Sequence, residues 1–547
     1  MNATVWSRGL EVTGGGTGVV SHSGLVLVRQ LSDRTSLTGG LSQALPSPDG
    51  GLDRGRVFAD LACAIADGAR VISDFRVMGD QDEAFGQVAS VPTVWRTLKE
   101  IAAGGDRTHR KITAALNKAR RYAWSQSIDR YGHLPPVQVA DRQLTGITCI
   151  RLDATVVFAH SEKDQAEPNF KGFGHHPILA ECDNFREPLA WMMRPGSAGS
   201  NTAAGHLALV DEAIAALPPT LRRKLMVTCD GAGASHDLVK HLDKLASRRG
   251  YQLTYSVGWA LTEREKAALR LVPVTAWEAA IDAKGEVRER RSDEACENKK
   301  CVHRACWIEE AHVTELTGLL RKGPDGDRLK AWPKTMRVFA RRERPHPGAQ
   351  LTLFEAEDGW RYSLWATNLP EDTRGWRGQC AYIDAGHRVH ARVEDVIRTG
   401  KDTGLGHFPS RDYGLNKAWL DASMTACILL SWLRHLALDG KLAKAEPKTL
   451  RYRIFHAAAR LVRGARPSRS LPPGPGPPRS SPPGTASRPS RTPPNQRKPS
   501  LRSGKEPSGP VEPRGHPARQ PGYQHARHRK IAPGGCRGAV QTNGSAA

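Results

Sequence analysis

The chain has 547 residues, with 80 Lys/Arg against 56 Asp/Glu and a formal charge of +24, which points to a polyanionic partner. It has no run of 18 apolar residues and no charged-then-apolar leader, so neither a membrane protein nor a secreted one is expected. The ten cysteines show no short regular spacing, which excludes a disulfide framework and suggests a reducing, cytoplasmic setting, nucleoid-associated if the partner is DNA.

Residues 1–140 read as a helical region. Leu25–Leu31 and Val57–Ala69 are apolar enough for buried helices. In Phe85–Leu98, Ser90 can cap a helix with Pro92 in its first turn. A short helix, a tight turn and this capped helix resemble a helix-turn-helix over 80–102, with Thr93, Arg96 and Thr97 facing outward toward DNA. The basic stretch Arg107–Arg121 either tracks phosphates or is a solvated helix face.

From 145 to 260 the pattern changes to strands. Ile147–Ala159, His176–Cys182 and Glu187–Met193 are β-rich, and Asp183-Asn184 between the last two reads as a hairpin turn. A helix over Asn201–Leu217 follows, then a strand over Leu225–Asp230. A helix capped by Ser235 and a strand over Gln252–Val257 complete the run. Three antiparallel-capable strands, then helix, strand, helix and strand, is the order of an RNase H-like core. Asp153 lies on its first strand and Asp230 at the end of its fourth.

Residues 261–370 read as a mostly β insertion, with strands at Arg337–Glu343, Gln350–Phe354 and Trp360–Trp365. Cys296, Cys301 and Cys306 with His303 are a weak zinc candidate, since the paired x2 spacing of common zinc modules is missing. Residues 371–463 return to the core as helices, among them the buried apolar Ala422–Leu433. On a wheel at 100° per residue, His387, His390, Glu394, Arg398 and Lys401 share a stripe about 80° wide beside Val389, Val393, Val396 and Ile397. Such a helix would bury its valines on the sheet and aim Glu394 at the two aspartates. Asp153, Asp230 and Glu394 can then hold two Mg²⁺ ions, roughly 3.5–4 Å apart, that clamp the attacking and leaving oxygens of phosphoryl transfer. In so basic a chain the phosphodiester is a nucleic acid.

The tail, 464–547, holds 15 Lys/Arg, 2 Asp/Glu and 18 of the 37 prolines. It has almost no apolar periodicity, so disorder is expected. Without its charge of +13 the remainder is still +11.

These residues resemble the DDE transposases of bacterial insertion sequences. Within that group they are similar to the branch whose third motif reads Y-x2-R-x3-E-x6-K and which carries a β-rich insert before the glutamate. Here the motif is His387-x2-His390-x3-Glu394-x6-Lys401. Ala159–Lys163, Phe170–Gly174, Arg194–Asn201, Arg341–Gly348 and Phe408–Tyr413 are similar to the family numbered thirteen-eighty. The resemblance covers about 20–463 and breaks off near Arg463, after which the composition looks like an alternative reading frame of GC-rich DNA.

The resemblance implies that Asp153, Asp230 and Glu394 bind the metals, Mg²⁺ with Mn²⁺ as a substitute. It implies that His387, His390 and Lys401 hold the DNA ends, with Arg398 beside them on the wheel. The implied partners are double-stranded DNA, as the element's own terminal inverted repeats and as target, bound by a homodimer. Two other readings stay open: an RNase H-like nuclease without strand transfer, and a catalytically dead DNA-binding protein derived from a transposase.

Overall fold

The computed structural model describes residues 10–14, 19–169, 171–199, 203–231, 235–288, 310–323, 326–345, 349–369 and 379–463. The proline-rich tail and the Cys296, Cys301, Cys306 and His303 group lie outside the described residues.

A nine-stranded mixed sheet organises the chain. Its strands lie side by side in the order Glu187–Met192, Ile178–Cys182, Thr148–Ala154, Lys224–Cys229, Gln252–Trp259, Arg361–Thr367, Arg337–Glu343, Ala311–Glu315 and Glu278–Ala279. The first three run antiparallel to one another. Thr148–Ala154, Lys224–Cys229 and Gln252–Trp259 are mutually parallel, and the rest pair antiparallel. The helix His236–Ala246 makes the crossover between the last two parallel strands. Ser235 caps it, its hydroxyl accepting from the Leu238 N–H at 3.2 Å.

Strand alternation decides what each face of the sheet carries. Ile150 and Leu152, with Leu225, Val227, Leu253, Tyr255 and Val257, point to one side and pack under Leu209, Val210, Leu238 and Leu242. The intervening residues point to the other side. Arg151, Thr228, Ser256 and Thr367 are register partners there and form a polar row across four strands. All four are nearly fully buried.

The strands of residues 261–370, the segment expected as a mostly β insertion, continue the same sheet outward from Gln252–Trp259. The segment is less β than expected. Gln350–Phe354 is not a strand: Leu353–Asp358 is a short helix whose start is fixed by a reciprocal Thr352–Glu355 capping box.

The helices Leu25–Arg34, Leu37–Ala44 and Arg54–Asp67, the long segment Val91–Tyr131 and the distant helix Tyr413–Leu436 share one apolar core. Val91–Tyr131 is broken at Gly105, whose φ of +50° and ψ of −141° are not helical. This core fastens onto the sheet through Glu187. Its carboxylate accepts from Arg120 Nε at 2.6 Å, Trp124 Nε1 at 2.8 Å and Trp432 Nε1 at 2.9 Å, and Arg120 also donates to the Pro188 carbonyl. Burial pushes the Glu187 carboxyl upward, while the guanidinium and both indoles favour its charged form. No helix among the described residues is long and apolar enough to cross a membrane.

Glu187→Ala should cost about 3–5 kcal/mol of unfolding free energy, because it leaves the Arg120 guanidinium buried without its counter-charge. Urea midpoints should show that Arg120→Met with Glu187→Leu costs less than the sum of the two single changes.

Candidate active site

Asp153 and Asp230 meet as a consequence of register. Leu152 pairs with Cys229 in the parallel ladder, so the next residue on each strand, Asp153 and then Asp230, continues it. Neighbouring strands are about 4.8 Å apart, and both carboxylates project from the same face, one row beyond Arg151 and Thr228. Gly258 occupies the corresponding place on the third parallel strand. A Cβ there would lie 2.4 Å from the Gly231 nitrogen and 2.8 Å from the Asp230 carbonyl carbon, so only glycine lets the Asp230 loop close over these strand ends.

Electrostatics bring the third carboxylate into the same site. The Asp153 carboxyl is pushed up to about 7, first by burial, then by the charge of Asp230 and, more weakly, by Glu394. The Ala154 N–H, donating to Asp153 Oδ1 at 2.7 Å, and the charge of Lys171 oppose the shift. Glu394 stands exposed in the first turn of the helix Arg392–Gly400, whose Val393, Val396 and Ile397 are buried. Lys401 ends that helix; burial and the nearby Lys171 hold its ammonium below the usual range, and Asp153 counteracts them. Asp153 and Asp230 thus lie at the C-terminal ends of two central strands, and Glu394 and Lys401 come near enough from the neighbouring helix to act on Asp153.

The histidines have other partners. Cys380–Arg388 and Arg392–Gly400 are separate helices joined by a 3₁₀ turn at Val389–Ala391, so the single stripe drawn through His387, His390 and Lys401 is broken. His387 is half-buried. Its Nδ1 lies 2.9 Å from Ser256 Oγ and its ring stacks on Trp365 at 5.0 Å. His390 is buried, with Nδ1 2.9 Å from Thr228 Oγ1. Burial first, then the Arg151 charge, pushes the His390 imidazole down to about 3, and His387 is driven equally low. Both rings are neutral fasteners between helix and sheet, and neither offers a positive charge to DNA.

Other expectations change in part. Thr93 is buried, its hydroxyl 3.0 Å from Ser90 Oγ, and Thr97 is buried beside it; both belong to the helical core. Arg96 is exposed and donates to Thr93 Oγ1 at 3.1 Å. The expected order of a short helix and then a longer one is present, but the short helix, Asp82–Phe85, is a single turn. Arg398 is exposed and pairs with Asp395 and Glu446, each at 3.0 Å. Further along the same segment, Arg107, Arg110, Lys111, Lys118 and Arg121 form an exposed basic stripe, while Arg120 is the buried partner of Glu187.

Two contributors gave no usable signal in the sequence. Lys171 lies in the turn between Glu167–Asn169 and Gly172–His175, close enough to act on Asp153 and Lys401. Asp183, read as a plain turn residue, also accepts from Arg151 Nη2 at 2.5 Å and lies 3.5 Å from Arg392 Nη1.

The chain matches the family model described as transposase DDE domain group 1 over residues 2–470. It belongs to that family. No curated protein matches it. Among solved structures, it is similar to the piggyBac transposase in a synaptic complex with hairpin DNA, at 10% identity and a TM-score of 0.38, over 81% of this chain and 82% of that one. In this family member the three carboxylates are the residues to test for metal binding. Their oxygens do not all converge within 4.8 Å, so as placed they do not form a one-ion cage. A raised Asp153 carboxyl flanked by two others is the donor chemistry that a divalent cation would relieve.

The buried His390 carries a pH signature. The folded pKa of His390 lies below its unfolded value, so the unfolded chain binds the extra proton between about pH 6.5 and 3. The neutral ring's stabilisation is therefore complete above 6.5 and is lost as pH falls. Between pH 7 and pH 5 this decline should be about 2 kcal/mol, and His390→Gln should remove it. Urea titrations of both proteins at the two pH values read the difference directly; parallel declines would show that His390 is accessible to protons in the folded state.

Proposed function

We propose that this transposase cleaves DNA at the ends of its own element and joins them to target DNA, using Asp153, Asp230 and Glu394 as ligands for two Mg²⁺ ions, with Mn²⁺ as a substitute. The observation that carries the reading is the coupling of three carboxylates, two brought side by side by strand register at the ends of central strands and one contributed by a helix. The strand order around them, three antiparallel strands followed by two parallel ones with a helical crossover, supports an RNase H-like core.

In the first step water attacks an end phosphodiester, the P–O3′ bond breaks and a 3′-hydroxyl leaves. In the second, that hydroxyl attacks a target phosphodiester and displaces another 3′-oxygen. Two bound Mg²⁺ ions would supply the acidity that generates the nucleophile and the charge that stabilises the leaving oxygen. The chain's own part is to fix geometry and charge. Register sets the Asp153–Asp230 spacing, buried valines set the pitch of the Glu394 helix, and Lys401 and Lys171 offer point charges to phosphate oxygens beside the carboxylates.

Asp153→Asn, Asp230→Asn and Glu394→Gln should each lower cleavage of an element-end duplex by about 10³-fold or more, since a metal clamp contributes several kcal/mol. End binding should change little. A variant that still cuts well in Mg²⁺ removes its residue from the site. Cleavage by the parent without joined product in a strand-transfer assay would favour a nuclease. Lys401→Ala should lose less activity than any carboxylate variant, mainly through end positioning.

The basic stripe of Arg107, Arg110, Lys111, Lys118 and Arg121 is the surface best suited to track a DNA backbone. Replacing Lys111 and Arg121 by glutamine should reduce the slope of log K against log salt by about 2. An unchanged slope would put the phosphate contacts elsewhere.

A further inference from the structure

We propose a second metal site, remote from the three carboxylates, in which His22, Asp67 and His456 bind one Zn²⁺ ion and clasp the two ends of the folded region to the helix Arg54–Asp67. Among the described residues this is the one group of three or more metal-type side chains whose ligand atoms all lie within 4.8 Å of one another. His22 Nδ1 is 2.6 Å from Asp67 Oδ2, and His456 Nε2 is 3.2 Å from Asp67 Oδ1. The imidazoles sit 4.3 Å apart at a tilt of 49°; His22 faces the carboxylate alone, while His456 Nε2 lies 3.2 Å from both the carboxylate Oδ1 and the Asp67 backbone carbonyl, a contact it would give up to the ion.

A second observation separates this group from an ordinary His–Asp pair. Asp67 is only 8% exposed, and its Oδ1 is buried with no hydrogen-bond partner despite the nearby His456 ring. A buried carboxylate oxygen without a donor is costly, and a cation between the three side chains would remove that cost. Two imidazole nitrogens and one carboxylate oxygen are a borderline donor set that suits Zn²⁺ better than Mg²⁺. Tetrahedral bonds of about 2.0–2.2 Å put neighbouring ligand atoms roughly 3.3 Å apart. The His456–Asp67 spacing already matches. The His22–Asp67 hydrogen bond has to open by about 0.7 Å, with the ion taking the place of the shared proton. Water can complete the fourth position, because both histidines reach the surface.

The location gives the clasp its purpose. His22 lies between the strand Val19–Val20 and the helix Leu25–Arg34, and His456 lies three residues before the start of the strand Ala459–Arg463. Ser23 already donates to the Ala457 carbonyl at 2.6 Å. Just upstream, Arg451 donates to the Ala66 carbonyl at 2.9 Å and to the Asp402 carbonyl at 2.7 Å. Asp402 follows Lys401, so an ordered clasp also steadies the turn that presents that lysine.

The test is Zn²⁺ titration of the full-length protein against a chromophoric chelator. The background is Asp153→Asn with Glu394→Gln, so that the proposed catalytic ligands do not contribute. One tight equivalent is expected. His22→Gln or His456→Gln should weaken it at least about tenfold. At one Zn²⁺ concentration the Tm of the parent should rise more than that of either variant. Asp67→Asn, which keeps the side chain's shape, gives an independent check, and circular dichroism confirms folding without metal. A parent with no tight equivalent, or histidine variants that titrate like the parent, would overturn the proposal and leave a hydrogen-bonded clasp.

Discussion

A buried cation inside the sheet holds the candidate site together. Arg151 is fully enclosed two residues before Asp153, and its charge is balanced by Asp183 at 2.5 Å, with Thr228 Oγ1 accepting at 3.1 Å. Asp183 also faces Arg392, two residues before Glu394. One carboxylate in a hairpin turn therefore ties the strand of the first candidate ligand to the helix of the third. Removing one member of such a buried set typically costs 3–5 kcal/mol. Here the cost would fall on the geometry of the carboxylates as well as on stability.

The same row explains the histidines. Thr228 and Ser256 are small hydroxyl residues at positions where the sheet would otherwise be apolar, and each meets one imidazole. These bonds seat the 3₁₀ turn that re-aims the chain between His387 and Glu394. Position in the family's signature suggested DNA contact for both residues, but burial decides otherwise. A ring pushed down to about 3 keeps no proton at physiological pH, so it cannot act as a cation.

Much of the site could be read in the sequence because its signals are local. Apolar runs mark the strands of Asp153 and Asp230, and the spacing of Val393, Val396 and Ile397 marks the buried side of the Glu394 helix. What failed depended on distant partners or on continuity. The helical wheel assumed one unbroken helix from His387 to Lys401, and a single 3₁₀ turn breaks that assumption. Thr93 and Thr97 are small enough to face either way, and only the packing of distant helices turns them inward. Lys171 shows no periodic signal; it enters the site because a turn returns it to the strand ends. The Thr352–Glu355 capping box was present in the sequence and argued against a strand there.

The helix Tyr413–Leu436 fills the core built by residues 25–131, and the strand Ala459–Arg463 lies between Leu10–Gly14 and Val19–Val20. A ribosome therefore releases the first helices long before it has made the segments that cover them. For most of translation their apolar faces have no native cover, a state that invites chaperone binding and aggregation. Glu394 also emerges late, so a partly synthesised chain carries both aspartates without the third carboxylate. On the proposed chemistry such a chain cannot cut DNA, and nuclease activity would arise only as the fold closes.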